Sequence, residues 1–139
     1  MYWQRGSLTP EQVELVIRHL PVDLSFADEH DVLVYWKGET YKTCDARYLG
    51  RDVRDCHPPA ALPLLERILA EFKAGRRDVA EGWWHGRRGL RRTRYIAVRD
   101  RDGAYRGILE VNEDLGDPAR FAADRALPGW DEGSDAAGG

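Results

Sequence analysis

Near the middle of the chain, alternating acidic and basic residues run into two prolines, in the stretch Gly50-Arg51-Asp52-Val53-Arg54-Asp55-Cys56-His57-Pro58-Pro59. The residues that follow place leucine, isoleucine and phenylalanine at helical spacing and predict a long helix over Ala60–Lys73. Pro63 falls in its first turn, where a missing amide hydrogen costs little, and Gly75 is a natural C-terminal cap. The stretch therefore predicts an irregular loop that leads into a helix with one buried side.

A second helix is predicted near the N-terminus, over residues 9–20. Thr9 can cap the free amides, Pro10 is favoured at the first helical position, and Gln12 completes a capping box. Pro21 ends the helix soon afterwards. Its apolar positions share one face at helical spacing, and they are Val13, Val16, Ile17 and Leu20. The helix is therefore amphipathic, with one apolar face that needs a cover.

Five strands are predicted around these helices, two short ones before the central loop and three longer ones after the long helix. They are Val22–Ala27, Val32–Trp36, Val79–His85, Leu90–Val98 and Tyr105–Asn112. Polar turns at residues 28–31, 86–89 and 100–103 join neighbouring strands, and short helical turns are expected near Tyr41–Leu49. This order of elements predicts an α+β fold, a five-stranded antiparallel sheet with helices on one face.

The composition is that of one folded domain. The chain has 139 residues, of which 42% are hydrophobic. Residues 76–106 hold ten arginines against four acidic residues, and residues 110–139 hold eight acidic residues against two arginines. A basic stretch can bind phosphate, but no helix-turn-helix pattern or aromatic RNA-binding signature accompanies it. Nucleic-acid binding is therefore not favoured.

The chain also lacks the marks of a secreted or membrane protein. It has no run of about 20 apolar residues, and its first residues form no apolar signal core. Two cysteines, Cys44 and Cys56, do not make a disulfide scaffold in a chain of this length. We therefore expect a cytoplasmic protein in which both thiols are reduced.

Three segments are predicted from the changes in composition. Residues 1–8 form an N-terminal extension, and residues 9–115 form the folded domain with its N-terminal helix at 9–20. Residues 116–139 form an acidic, largely disordered tail, in which Phe121–Leu127 adds one or two helical turns.

The adjacent Cys56 and His57 suggest either a metal site or a thiolate activated by imidazole. Adjacent residues rarely hold one ion well, and the remaining Cys44 and histidines are scattered, so a structural role is favoured. No nucleophile, base and orienting group can be named together. The chain is therefore not expected to be an enzyme, and neither catalytic residues nor a metal site is predicted.

Aromatic side chains on the strands have two interpretations, a pocket that stacks a planar ligand or a packed core. They are Tyr35, Trp36, Trp83, Trp84 and Tyr95. Glu110 interrupts an apolar strand, and a carboxylate on a covered sheet face needs a partner, for which Arg91 or Arg94 is within reach. Such a pair is either structural or orients a polar ligand, and the sequence leaves both possibilities open.

Four blocks of the sequence resemble PAS domains, and most closely the PAS-like modules found in bacteria beside hemerythrin-like domains. They are Leu20–Glu29, Gly50–Pro59, Ala97–Asp100 with Asp102-Gly103, and Gly107–Val111. The resemblance covers residues 9–115 and implies a small sensor or dimerisation module with a cavity between the sheet and the helices. His57-Pro58 is similar to the His-Pro step that PAS domains carry before their long helix.

The resemblance implies a stand-alone, non-enzymatic module that binds a small molecule or a protein partner and relays that state as a homodimer. The candidate pocket residues are Tyr35, Cys56, His57, Leu65, Trp83, Arg91, Tyr95 and Glu110. The candidate dimer interface is the apolar face of the N-terminal helix, Val13, Val16, Ile17 and Leu20.

Two alternatives stay open within the same family. In the first, His57 ligates haem; in the second, the module is a ligand-free scaffold for dimerisation or protein interaction. Flavin binding in the light-sensing manner is disfavoured, because Gly50-Arg51-Asp52-Val53 lacks the Asn-Cys-Arg-Phe context of that subfamily. The ligand is therefore unknown.

Overall fold

The computed structural model describes residues 4–38 and 45–130. Within these residues, two α-helices and five strands follow one another along the chain. They are α1 (Pro10–His19), β1 (Asp23–Asp28), β2 (Leu33–Lys37), α2 (Leu62–Lys73), β3 (Val79–Gly86), β4 (Gly89–Arg99) and β5 (Tyr105–Gly116). The strands form one antiparallel sheet in the order β2-β1-β5-β4-β3. The predicted α+β fold, with its N-terminal amphipathic helix, is confirmed.

Helix α1 begins with the predicted capping box. The Thr9 hydroxyl accepts a hydrogen bond from the Gln12 amide, and the Gln12 side chain accepts one from the Thr9 amide. At the other end, the Lys37 ammonium donates to the carbonyl oxygens of Ile17, at 2.7 Å, and of Leu20. A cation at a helix C-terminus is favourable, so this contact fixes the end of α1 beside edge strand β2.

The central loop is irregular, as predicted, but it is built from short 3-10 turns at Ala46–Tyr48, Val53–Cys56 and Pro59–Ala61. Part of the predicted helical region Tyr41–Leu49 lies outside the described residues. The loop is tied to the β1–β2 turn, because the carboxylate of Asp31 accepts from Arg54 at 3.0 Å and from Lys73 at 2.8 Å.

The core lies between α2 and one end of the sheet. Ala27 on β1 and Ile108 on β5 face each other, with Ala97 of β4 beside them. Their covering side chains on the helix are buried, and they are Leu65, Leu69 and Phe72. We call this part of the sheet, with its helix cover, the filled end.

Close approach of β1 to β5 requires a glycine at Gly107. Its φ is +150°, and a Cβ built there would lie 2.3 Å from the carbonyl oxygen of Ala27. Strand β5 itself continues to Gly116, four residues beyond its predicted end, because β4 pairs with it as far as Leu90. Beyond the strand, a 3-10 turn lies at Pro118–Phe121, earlier than the predicted Phe121–Leu127.

Candidate functional site

On the helix-facing side of the sheet, the side chains change character two residues beyond the filled end. The next two rows across β1, β5 and β4 are polar instead of apolar. They are Ser25, Glu110 and Tyr95, followed by Asp23, Asn112 and Thr93. We call these six residues the cavity end of the sheet.

Four of these side chains form one continuous chain of hydrogen bonds. Thr93 Oγ1 donates to Asn112 Oδ1 at 2.6 Å, and Asn112 Nδ2 donates to Glu110 Oε1 at 3.2 Å. The Tyr95 hydroxyl donates to the same carboxylate. We call Thr93, Tyr95, Glu110 and Asn112 the polar ladder. Mutual bonding offsets the cost of placing polar groups on a covered face.

Burial raises the pKa of Tyr95 well above its ordinary value, and the charge of Glu110 and the hydrogen bond to it act in the same direction. Tyr95 therefore stays a neutral donor at physiological pH. Glu110 accepts from two uncharged groups, Tyr95 and Asn112, among the described residues.

An open cavity of about 370 Å³ lies above the polar ladder. Two indoles, Trp36 on β2 and Trp84 on β3, belong to its walls. These are the two edge strands of the sheet. The loop before α2 contributes His57, Pro58 and Ala61. A pocket with aromatic walls and a few convergent polar groups is the usual form of a small-molecule site.

His57 is oriented by the backbone. Its Nδ1 lies 2.7 Å from the carbonyl oxygen of Val53, so this nitrogen carries the hydrogen and donates it. In the neutral ring the other nitrogen, Nε2, is then an acceptor. His57 is the C-cap of the 3-10 turn Val53–Cys56, and it also lines the cavity. It therefore has both the predicted structural role in the turn and a position in the pocket.

The structure places the eight predicted pocket residues in different surroundings. Three of them, His57, Tyr95 and Glu110, line the cavity above the polar ladder. Leu65 is buried in the core and borders a small space of about 20 Å³ beneath Glu110. Arg91 shares the helix-facing side with Thr93, but its Nε lies close to Gly86, at the hairpin end of the sheet.

Tyr35 and Trp83 lie on the opposite face of the sheet, away from this cavity. Tyr35 pairs with Phe26, whereas its neighbour Trp36 pairs with Ser25 and faces the cavity. Trp83 is 63% exposed, and its neighbour Trp84 contributes to the cavity wall. Successive side chains point to opposite faces of a strand. In each pair of neighbours the predicted pocket residue, Tyr35 or Trp83, therefore faces away from the cavity, and Trp36 or Trp84 faces it.

Glu110 does not pair with Arg94, one of its two expected partners. Arg94 and Arg92 both donate to Glu113, at 2.7 and 2.8 Å, on the other face of the sheet. Burial alone would raise the pKa of Glu113, but the hydrogen bonds and charges of the two arginines outweigh it and hold this pKa below its ordinary value.

Cys56 is buried and disulfide-bonded, which corrects the expectation of a reduced thiol at this position. The spacing of cysteines in the sequence does not predict whether a disulfide forms, because the bond requires two sulfur atoms to be adjacent in the folded structure. Cys44 lies outside the described residues.

Among the cavity residues that the sequence did not predict are Asp23, Ser25 and Asn112. Asp23 and Ser25 lie in a short strand whose alternation of polar and apolar residues is typical of any half-buried strand. Only the pairing with β5 brings them opposite Asn112 and Glu110.

The described residues contain no group of three or more potential metal ligands, and no helix long and apolar enough to cross a bilayer.

Solved structures include several that are similar to this chain. A C-terminal domain from Streptococcus mutans is 29% identical, with a TM-score of 0.77, and the alignment covers 89% of this chain and 96% of that one. The PAS domain of BvgS from Bordetella pertussis is 19% identical, with a TM-score of 0.57 and coverage of 81% and 92%. A PAS domain from Colwellia psychrerythraea is 12% identical, with a TM-score of 0.54 and coverage of 76% and 96%. The last two likenesses concern the fold alone.

No curated protein matches the chain. A family model described as PAS domain matches residues 13–116, which include α1 from Val13 onward, the whole sheet and α2. This match spans well over half of the chain and contains every residue of the polar ladder. The chain therefore belongs to the PAS domain family.

Proposed function

We propose that this PAS domain is a sensory module that binds a small molecule in the cavity above the polar ladder. PAS domains are typically sensory or signalling modules and not catalysts. One observation carries the proposal. Where the same sheet face could have been filled with apolar side chains, it bears instead four mutually bonded polar groups beneath an open cavity of about 370 Å³.

Native mass spectrometry of freshly purified protein, paired with an ultraviolet and visible absorbance scan, tests the proposal. We expect a bound mass that the variant Ser25→Phe loses, because Ser25 lines the cavity and a phenyl ring there would occupy it. Ser7→Phe is the matched control, since Ser7 is exposed and lies outside the cavity lining. A clean apo protein whose thermal stability responds to no small molecule would instead favour the ligand-free scaffold.

The output of the sensor is proposed to pass through α1 in a homodimer. The apolar face of this helix is uncovered, with Val13 40%, Val16 48% and Leu20 42% exposed. Beneath the helix lies a groove of about 680 Å³, and two of its lining residues, Asp23 and Asn112, also line the ligand cavity. A ligand that contacts these two residues would bear directly on the packing of α1.

The double variant Val16→Asp with Ile17→Asp should yield monomers, as measured by analytical ultracentrifugation. Arg18→Glu adds negative charge on the same helix outside the apolar stripe and should leave the dimer intact. A dimer that survives the double change would contradict this interface.

Haem ligation by His57 fits the cavity less well. Haem carries two anionic propionates, whereas the described lining of the cavity contains the carboxylates Asp23 and Glu110 and no lysine or arginine to pair with them. We expect no Soret band after addition of hemin. A band that His57→Ala abolishes would overturn this view.

Three finer predictions belong to the same proposal. They are the kinship with hemerythrin-associated modules, the division into an extension at 1–8, a domain at 9–115 and a tail at 116–139, and a cytoplasmic location. The disulfide at Cys56 bears on the location, because stable disulfides are rare in the cytoplasm. Alkylation of thiols in freshly lysed cells, read by mass spectrometry, would separate a reduced from an oxidised pool.

A further inference from the structure

We propose that the cavity takes a small planar organic cation with N–H donors, of the amidinium or guanidinium class. Glu110 would serve as its counter-ion, and Trp36 and Trp84 would form the aromatic walls around it. This inference rests on the proposed function, because it names the ligand class of the same cavity.

The charge of the lining supports a cation. The cavity is bordered by two carboxylates, Asp23 and Glu110, and its described lining residues include no lysine or arginine. Among these residues only His57 can carry a positive charge. An anionic ligand would therefore meet like charge at the floor of the cavity.

The nearby arginines are directed elsewhere. Arg92 and Arg94 donate to Glu113 on the opposite face of the sheet. Arg91 extends toward the hairpin end, where its Nε would lie 4.0 Å from a Cβ built at Gly86. The charge of Glu110 is thus not neutralised by Arg92 or Arg94, because both pair with Glu113.

Glu110 also has capacity to bind a ligand. A carboxylate has about four acceptor positions. Among the described residues, the two neutral donors Tyr95 and Asn112 use only part of this capacity. An amidinium or guanidinium group can donate two parallel N–H bonds to one carboxylate, which gives both strength and orientation.

The walls favour a flat cation. Tryptophan is the side chain that attracts cations most strongly through its ring face, and the two indoles come from the two edge strands of the sheet. Trp84 is 45% exposed, so its ring is accessible to an entering ligand. A volume of about 370 Å³ is at the small end of the range for ligand pockets and fits a compact ligand.

Three probes of nearly the same shape and different charge test the inference: benzamidinium, benzamide and benzoate. Affinities would be measured by isothermal titration calorimetry and by quenching of tryptophan fluorescence. We expect benzamidinium to bind roughly tenfold or more tighter than benzamide, and benzoate not to bind, because a hydrogen bond to a charged partner is stronger than a neutral one. Glu110→Gln should remove the preference of benzamidinium over benzamide.

The matched control is Glu81→Gln. Glu81 is a carboxylate on β3 that lies 3.7 Å from Arg92 and outside the cavity lining, so its neutralisation should leave all three affinities unchanged. A melting curve for each variant confirms that it is folded.

Equal binding of benzamide or benzoate, no binding of any probe, or an unchanged preference in Glu110→Gln would overturn the cation class. The sensor function can be judged separately. A neutral or anionic molecule found by native mass spectrometry in wild-type protein, and lost in Ser25→Phe, would leave the sensor function standing while the cation class fails.

Discussion

The filled end and the cavity end of the sheet are built from the same strands and lie on the same face, two residues apart. At the filled end, Ala27 and Ile108 pack under the buried side chains of Leu69 and Phe72. At the cavity end, Glu110 and Tyr95 bond to each other beneath open space. Apolar burial is a main source of stability, so the filled end holds the fold and the cavity end is available for binding.

This division explains why the polar ladder is tolerated. A polar group that is covered without a partner destabilises the fold by roughly 1–3 kcal/mol. Each member of the ladder bonds to at least one other member, so the sheet keeps its register while it presents donors and acceptors to a ligand. Natural sites often give up some stability in this way for function.

The largest expected difference between the two ends is in large-to-small substitutions. Phe72→Ala should lower the free energy of unfolding by about 3–5 kcal/mol, because Phe72 is fully buried. Trp84→Ala should lower it by about 1 kcal/mol or less, since the indole is 45% exposed at the cavity wall. Urea denaturation followed by circular dichroism measures both values. Similar losses for the two variants would remove the distinction between the ends.

The next effect concerns Asp31, which ties the filled end to the central loop. Asp31→Asn should lower the free energy of unfolding by about 1–3 kcal/mol, because the charge that holds Arg54 and Lys73 is lost. Its φ of +63° is tolerated by asparagine, so backbone strain does not enter the comparison.

The control for this variant is Asp55→Asn. Asp55 forms an exposed pair with Arg51 and should change stability by less than about 0.5 kcal/mol. A loss at Asp31 no larger than the loss at Asp55 would show that the buried pair adds nothing to the filled end.

At the cavity end, Tyr95→Phe removes one hydrogen bond to Glu110 and keeps the ring. We expect a loss of about 1 kcal/mol in the free energy of unfolding, measured in urea. Tyr35→Phe makes the same change on the exposed opposite face and should be nearly neutral. Equal losses in the two variants would show that the hydrogen bond between Tyr95 and Glu110 does not stabilise the fold.

The smallest effect tests an exception within the filled end. The Tyr105 hydroxyl is buried without a hydrogen-bond partner among the described residues. Tyr105→Phe should therefore leave stability unchanged or raise it by less than about 1 kcal/mol near pH 7. A clear loss would mean that the hydroxyl has a partner, such as a bound water.

Tyr105 also makes stability depend on pH in alkaline solution. Burial raises the pKa of Tyr105 to about 12, with the charges of Asp31 and Asp28 adding to it and Arg99 opposing it. A tyrosine in the unfolded chain ionises near pH 10. The stability that depends on a neutral Tyr105 is therefore fully present below pH 10 and is lost as the pH rises toward 12. Tyr105→Phe should flatten the fall of stability between about pH 10 and 12, measured by urea denaturation at each pH.

Local patterns along the chain sufficed to predict the elements. The capping box at Thr9, the apolar spacing in Ala60–Lys73 and the turn at residues 100–103 all act over a few residues, so each could be identified without knowing the fold. Strand ends were less predictable, as at Gly116, because a strand continues wherever a partner supplies hydrogen bonds.

The candidate site was predicted in part. His57, Tyr95 and Glu110 line the cavity. The partner of Glu110 was expected among the arginines, yet Arg94 stands on the opposite face beside Glu113, a consequence of register that no local pattern reveals.

By itself, the sequence determined the α+β class, the amphipathic first helix and the polar character of Glu110, because these depend on residue type and short-range spacing. Tertiary structure alone decided that Trp36 and Trp84, and not Tyr35 and Trp83, face the helices. It also decided that Asp23, Ser25 and Asn112 meet at one cavity. The physical reason is that strand pairing joins residues far apart in the chain, and a shift of one residue would turn every side chain to the other face.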